Sequence, residues 1–286
     1  MSGRSLTPED GAGASSESHP FLPWLRRWRL TPDGAPIRTH SSDLLPVRFE
    51  GQPAMLKVTR VDEERVGHRL MVWFGGEGAA CVMRHQDEAT LLERAEGDLS
   101  LTEMVRAGRD DEASRVLCGV VRQLHTPRPQ PWPELTPLTR WFRSLEEVAP
   151  QYGGIFTLSL EAARHLLAHP QGVRPLHGDL HHGNVLHSCE RGWLAIDPKG
   201  LIGERGFDYA NILCNPDLET ATQPGRLARQ VDVVAEAAEL ERPRLLQWVL
   251  AYAGLSASWW LEDGRQDEAE PVLDVARTAA ADLVRV

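Results

Sequence analysis

Between Pro36 and Thr59 apolar positions come in short bursts, Ile37-Arg38-Thr39-His40, Leu44-Leu45-Pro46-Val47-Arg48-Phe49 and Ala54-Met55-Leu56-Lys57-Val58-Thr59, broken by Ser41-Ser42-Asp43 and Glu50-Gly51-Gln52-Pro53. Short runs bounded by turn formers read as strands. The spacing then changes. Residues 61–74 read as a helix, with Val61, Arg65, Leu70 and Phe74 near one stripe, acids in the first turn and Gly75-Gly76-Glu77-Gly78 as the stop. A hairpin of residues 79–85 and 89–95 follows, turning at Gln86-Asp87-Glu88. After Gly97 the pattern is helical: residues 101–107, 112–125, 138–148 and 160–169, then 206–213, 226–240, 244–260 and 266–284. Ahead of the strands, residues 21–28 suit a short helix packed on the body, and residues 1–19, rich in Ser, Gly and Glu, read as a disordered leader.

One hairpin sits inside the helical half. Val185-Leu186-His187 and Trp193-Leu194-Ala195-Ile196 are apolar runs joined by Ser188-Cys189-Glu190-Arg191-Gly192. It is preceded by His177-Gly178-Asp179-Leu180-His181-His182-Gly183-Asn184 and followed by Asp197-Pro198. Asn184 would enter the hairpin and Asp197 leave it, side by side, with Asp179 close behind. Transfer of a terminal phosphoryl group needs this set: one carboxylate to orient an acceptor hydroxyl and take its proton, an amide oxygen and a second carboxylate to hold magnesium on nucleotide phosphates. The spacing therefore makes Asp179 the candidate base and Asn184 and Asp197 the candidate metal ligands, with His177 fixing the loop. His177, His181, His182 and His187 could alternatively form a zinc site, but Gly178 and Gly183 argue for a loop and no cysteine pair supports a structural metal.

Composition narrows the class. A net charge of −10 over 286 residues speaks against a nucleic-acid partner. From Asn215 onward thirteen acids face seven Arg and no Lys, which supplies −6 of that total and suits either a solvated surface or a cationic small-molecule substrate. Nothing approaches the ~20 apolar residues of a membrane span, and the N-terminus lacks a signal-peptide run, so a cytoplasmic protein without membrane contact is expected. Cys81, Cys118, Cys189 and Cys214 lie far apart and read as reduced thiols.

The stretch His177-Gly178-Asp179-x-His181-x-Gly183-Asn184 resembles the catalytic loop of the aminoglycoside phosphotransferases, and Asp197-Pro198-Lys199-Gly200-Leu201-Ile202-Gly203-Glu204 with Phe207-Asp208-Tyr209-Ala210-Asn211 is similar to their streptomycin 6-phosphotransferase and hydroxyurea-kinase-like branch. The resemblance runs from about Ile37 to the C-terminus. It implies an α+β, protein-kinase-like fold: a small, mainly antiparallel β lobe with one key helix at residues 20–96, and a larger helical lobe at 97–286. It further implies a kinase using ATP and Mg2+ on a hydroxyl of a streptomycin-like aminoglycoside or of hydroxyurea, as a monomer or weak homodimer. Lys57 would grip the nucleotide phosphates, paired with Glu64 or Glu63, Glu64 preferred. No Gly-rich loop precedes Lys57, so hydroxyls and amides of the turn at Ser41 and Ser42 would face the phosphates. The backbone from Glu93 to Ala95 would meet adenine. Asp208 would be a buried carboxylate bonded to the catalytic-loop backbone. Trp248, Trp259 and Trp260 are either core or a substrate wall. The rivals are a metabolic kinase of another alcohol or amino sugar and a kinase-like module that binds without catalysing.

Overall fold

The structure, a computed structural model, describes residues 20–39, 41–61 and 64–285. The leader, His40 and Glu63 lie outside these residues. The first part of the chain forms α1 (Leu22–Arg27), β1 (Thr31–Pro32), β2 (Ile37–Arg38), β3 (Ser42–Phe49), β4 (Gln52–Thr59), α2 (Glu64–Phe74), β5 (Val82–Gln86) and β6 (Ala89–Glu93). The strands make one antiparallel sheet in the order β1-β3-β4-β6-β5, with β2 beside β3. Between β3 and β4 the link is Glu50-Gly51, both at positive φ, the conformation of a two-residue hairpin whose twist suits the sheet.

Side-chain alternation along β4 divides the two faces. Ala54, Leu56 and Val58 pack with Leu45, Val47, Ala89 and Leu91 against Phe21 and Trp24 of the α1 region. Met55, Lys57 and Thr59 therefore point the other way, toward α2 and a cleft. Because β4 is central and both faces are covered, the lone lysine in it is 6 % exposed. On α2 the buried positions are Glu64, Gly67, His68, Leu70, Met71 and Phe74. Two positions differ from the expected stripe, since Val61 and Arg65 are exposed. The helix begins at Glu64, and the i, i+3, i+4 sequence counted from there runs one residue away from Arg65.

The helical part comprises α3 (Leu101–Arg106), α4 (Asp110–Leu124), α5 (Leu138–Trp141), α6 (Arg143–Tyr152), α7 (Ile155–Ala168), α8 (Phe207–Leu213), α9 (Leu218–Ala221), α10 (Arg226–Ala238), α11 (Arg242–Glu262) and α12 (Gln266–Val284). Among these run β7 (Thr136–Pro137), β8 (Val173–Leu176), β9 (Val185–Ser188), β10 (Gly192–Ala195) and β11 (Leu201–Glu204). The single helix expected at 138–148 is two, divided at Phe142. Most of α11 is buried, and α7, α8 and α12 pack around it. At its start Arg244 pairs with Glu204 of β11, both under 10 % exposed, and Glu204 also accepts from Trp248 Nε1 (2.8 Å) and from Gln171 N (2.9 Å). The four cysteines are free, with Cys118 and Cys214 buried and Cys189 exposed. No described helix is long and apolar enough to cross a membrane.

Candidate active site

β9 and β10 pair antiparallel with Val185 opposite Ala195, and the next rung is the Ile196 N–H donated to Asn184 O at 2.9 Å. Asn184 and Asp197 thus leave the ladder at the same end. Asp197 sits at φ +62°, a left-handed conformation that Asp adopts more readily than most residues and that turns the chain sharply after β10. His177, fully buried, links the two ends of the segment. Its Nε2 is 2.9 Å from Ile196 O and its Nδ1 accepts the Asp179 N–H at 3.2 Å. Burial pushes the imidazole pKa down despite the carboxylates nearby. The neutral ring with its proton on Nε2 satisfies both contacts.

Asp208, from the first turn of α8, is 1 % exposed and receives three bonds: His177 N (2.9 Å), Gly178 N (2.7 Å) and His125 Nε2 (2.9 Å). Burial works to raise its pKa, but the His125 hydrogen bond and charge together with the Gly178 amide outweigh it and hold the carboxyl below its usual range. The Asp179 side chain meets two amides and a cation. Asn211 Nδ2 stands 3.1 Å from Oδ1, Asn184 Nδ2 3.4 Å from Oδ2, and Lys199 Nζ 3.7 Å from Oδ2.

From the opposite lobe, Lys57 Nζ lies 2.7 Å from Glu64 Oε2 and also bonds Asp197 Oδ1. Glu64 is held further by Ser41, Ser42 (2.9 Å) and Thr59 (2.9 Å). Burial favours its neutral form, yet Lys57 and these hydroxyls bring its pKa down to about 2. The Ser41 and Ser42 hydroxyls, expected at the phosphates, are bonded instead to Glu64. Lys57 and Asp197 line a cleft of about 280 Å³ together with Leu44, Met55, Leu92, Leu186, Ile196 and Glu93 to Ala95. A flat heteroaromatic ring suits such an apolar slot.

Residues 27–264 match the family model of the aminoglycoside/hydroxyurea antibiotic resistance kinases. The chain belongs to that family. It is 47% identical over 262 residues to streptomycin 3''-kinase of Klebsiella pneumoniae, spanning 90% of this chain and 98% of that one. It is 34% identical to streptomycin 6-kinase of Streptomyces griseus, over 89% and 86% of the two chains. Among solved structures the fold is similar to aminoglycoside phosphotransferase APH(4)-Ia in ternary complex with ADP and hygromycin B (TM-score 0.64, 13% identity, 93% of this chain and 98% of that one). The protein is thus a kinase of two lobes, a mainly antiparallel sheet followed by a helical part.

The resistance kinase depends on a close approach between those lobes. A Cβ on Gly67 of α2 would fall 1.9 Å from Pro198 O, next to Asp197. Gly67→Ala is expected to push α2, and with it Glu64, off the loop and to lower kcat/KM on the order of 10²-fold, as small misplacements of reacting groups do. Steady-state kinetics with a thermal unfolding scan checks this, and unchanged kinetics would show that the helix position is tolerant.

Among the described residues two histidines are buried without hydrogen-bond partners on either ring nitrogen: His68, which lines the cleft, and His182 in the loop between β8 and β9. Burial, with Lys57 and His85, takes His68 down to about 4, and burial with Arg226 takes His182 to about 3. The unfolded chain accepts these protons near pH 6.5 and the folded chain refuses them, so stability present above pH 6.5 is lost as pH falls toward 4 and 3. Glu64 extends the loss from pH 4.5 toward 2 by the same sign. Urea unfolding across pH 7 to 4 is expected to show a flatter profile for His68→Leu than for the parent chain.

The four loop histidines do not gather on one point. His177 bonds backbone, His181 Nδ1 accepts Gly183 N (3.1 Å), the His182 ring has no hydrogen-bond partner and His187 lies tilted against Trp193. Among the described residues no three His, Cys, Asp or Glu side chains could hold a metal by themselves. Trp248 is core, 0 % exposed between Phe142 and Phe207. Trp259 and Trp260 are half-buried, one against Trp141 and one beneath Arg265. Asn211 and His125 were not expected at the site. Asn211 closes the Phe207-Asp208-Tyr209-Ala210-Asn211 stretch, which was the available signal, whereas nothing around His125 marked it.

Proposed function

We propose that the kinase transfers the terminal phosphoryl group of ATP to a hydroxyl of a streptomycin-class aminoglycoside. The observation that carries this is the convergence of Asp179, Asn184 and Asp197 from one folded-back segment, with Lys57 reaching Asp197 from the opposite lobe. Asp179 Oδ orients the acceptor hydroxyl and takes its proton, while His177 and Asp208 fix the loop that carries it. Asn184 commits its amide nitrogen to Asp179 (2.9 Å to the backbone oxygen), which leaves its amide oxygen as a hard donor, and the ladder rung from Ile196 N to Asn184 O brings the adjoining Asp197 to the same end of the hairpin. One carboxylate and one amide oxygen without a complete protein cage fit magnesium, which keeps substrate phosphates and waters in its shell. Bound there, the ion would neutralise phosphate charge. Lys57, held by Glu64, anchors the phosphates, and backbone groups from Glu93 to Ala95 meet the adenine edge.

In this reading residues 20–96 bind nucleotide and residues 97–286 carry the catalytic loop and acceptor site. The acidic excess after Asn215 favours the guanidinium groups of a streptomycin-like acceptor. Position 3'' is preferred over 6 because identity to the 3''-kinase is 47% against 34%. The test is ATP consumption by the purified chain against streptomycin, other aminoglycosides and hydroxyurea, followed by mass and NMR location of the phosphate. Turnover with streptomycin at 3'' supports the reading. Turnover with hydroxyurea alone replaces the acceptor, in line with 32% identity to hydroxyurea phosphotransferase of Kitasatospora aureofaciens. Magnesium-dependent nucleotide binding with no turnover leaves a binding module.

A further inference from the structure

Of the chain's 31 basic residues only two are lysine. Both stand in the same cluster of acids, Lys57 entering from β4 and Lys199 from the loop after β10. We propose that Lys199 is a further catalytic residue, resting on the phosphotransfer reading above: its ammonium contacts the oxygens of the phosphoryl group passing from ATP to the hydroxyl held by Asp179.

The root of Lys199 is fixed and its tip is not. Its N–H donates to His177 O at 2.7 Å, and α2 presses on the preceding Pro198 through Gly67. The side chain then spans four carbons to place Nζ 3.7 Å from Asp179 Oδ2, an ion-pair distance rather than a hydrogen bond. Asp179 does not need it for orientation, because Asn211 and Asn184 already donate to its two oxygens. Lys57 is committed on the nucleotide side to Glu64. Among the described residues Lys199 is therefore a cation beside the base whose ammonium makes no hydrogen bond of its own.

The step conserves atoms and electrons. The acceptor oxygen forms a bond to the γ-phosphorus as the bond from that phosphorus to the β,γ-bridging oxygen breaks. The bridging oxygen leaves with the electron pair as ADP, and the hydroxyl proton passes to Asp179. Lys199 neither gives nor takes a proton. Negative charge spreads over the three equatorial oxygens in flight, where a cation set in place beforehand lowers the barrier. A compact ammonium with three rotatable donors serves oxygens that move, whereas a planar guanidinium suits a fixed pair.

The test compares Lys199→Met and Lys199→Arg with the parent protein in three readouts: kcat for transfer to the accepted aminoglycoside, Kd for ADP with magnesium, and slow ATP hydrolysis by water without acceptor. Lys199→Met is expected to lose about 10²–10³-fold in kcat and a similar factor in hydrolysis, with ADP affinity within about threefold of the parent, since ADP lacks the group in flight. Lys199→Arg should recover part of both rates. Transfer by Lys199→Met within tenfold of the parent overturns the proposal. So does loss of transfer with hydrolysis intact, which makes Lys199 a positioning residue for Asp179, and so does loss of ADP affinity in step with kcat. Should Lys199→Met not fold, Lys199→Gln carries the same expectations. A parent protein that transfers phosphate to no acceptor refutes the proposed function instead, so the two failures are distinct.

Discussion

Asp179→Ala is expected to cut phosphotransfer by about 10²–10⁴-fold, the usual worth of a positioned general base, while affinity for ADP and magnesium stays within about threefold. The separation follows from where the contacts run. Asp179 is bound through its side chain to Asn211, Asn184 and Lys199, none of which lines the cleft at Lys57. The loop itself is held at the backbone by Asp208 and His177 and does not need the Asp179 carboxylate to keep its shape. Isothermal titration with ADP alongside steady-state rates checks both halves. Near-parent turnover would remove Asp179 from the base role, and equal loss of rate and binding would make it part of the nucleotide site.

The second large effect is on stability. Glu204→Ala leaves the Arg244 guanidinium, 8 % exposed, without its carboxylate, and strips partners from Trp248 Nε1 and Gln171 N. Removing one member of a buried pair typically costs about 3–5 kcal/mol because the other is left uncompensated. Urea unfolding should show that loss with an unchanged denaturant slope. A double change, Glu204→Leu with Arg244→Met, is expected to recover much of it, since neither charge then remains buried. A cost below about 1 kcal/mol for Glu204→Ala would mean that water reaches the pair.

The hairpin of β9 and β10 was legible because its signals are dense and local. Asp179, Asn184 and Asp197 are brought together by one turn, and apolar runs of three and four residues with a glycine near the turn's end leave little freedom in how that turn closes. Lys57 was legible for a different reason, a single ammonium in an apolar strand. Sequence reading failed where a contact joins distant segments. Ser41 and Ser42 have hydroxyls able to serve a phosphate or a carboxylate, and the choice fell to Glu64, 23 and 22 residues further on. Asn211 reaches Asp179 across 32 residues and His125 reaches Asp208 across 83, and no periodicity marks a polar group on a helix as functional. Strands β7, β8 and β11 span two to four residues, too few for an alternation to register. The stripe expected through Val61 and Arg65 misses the buried face because Val61 lies outside α2, which begins at Glu64.

The Lys57 bond to Asp197 has a consequence for how the site fills. An ammonium built into the chain already guards the carboxylate that a divalent ion would seek. A lone ion would have to evict that tenant and leave it facing Glu64 only. An ion arriving together with polyphosphate offers the displaced ammonium new oxygens, so the exchange balances. Weak retention of the free ion and firm retention of the paired species would follow from one side chain having somewhere to go.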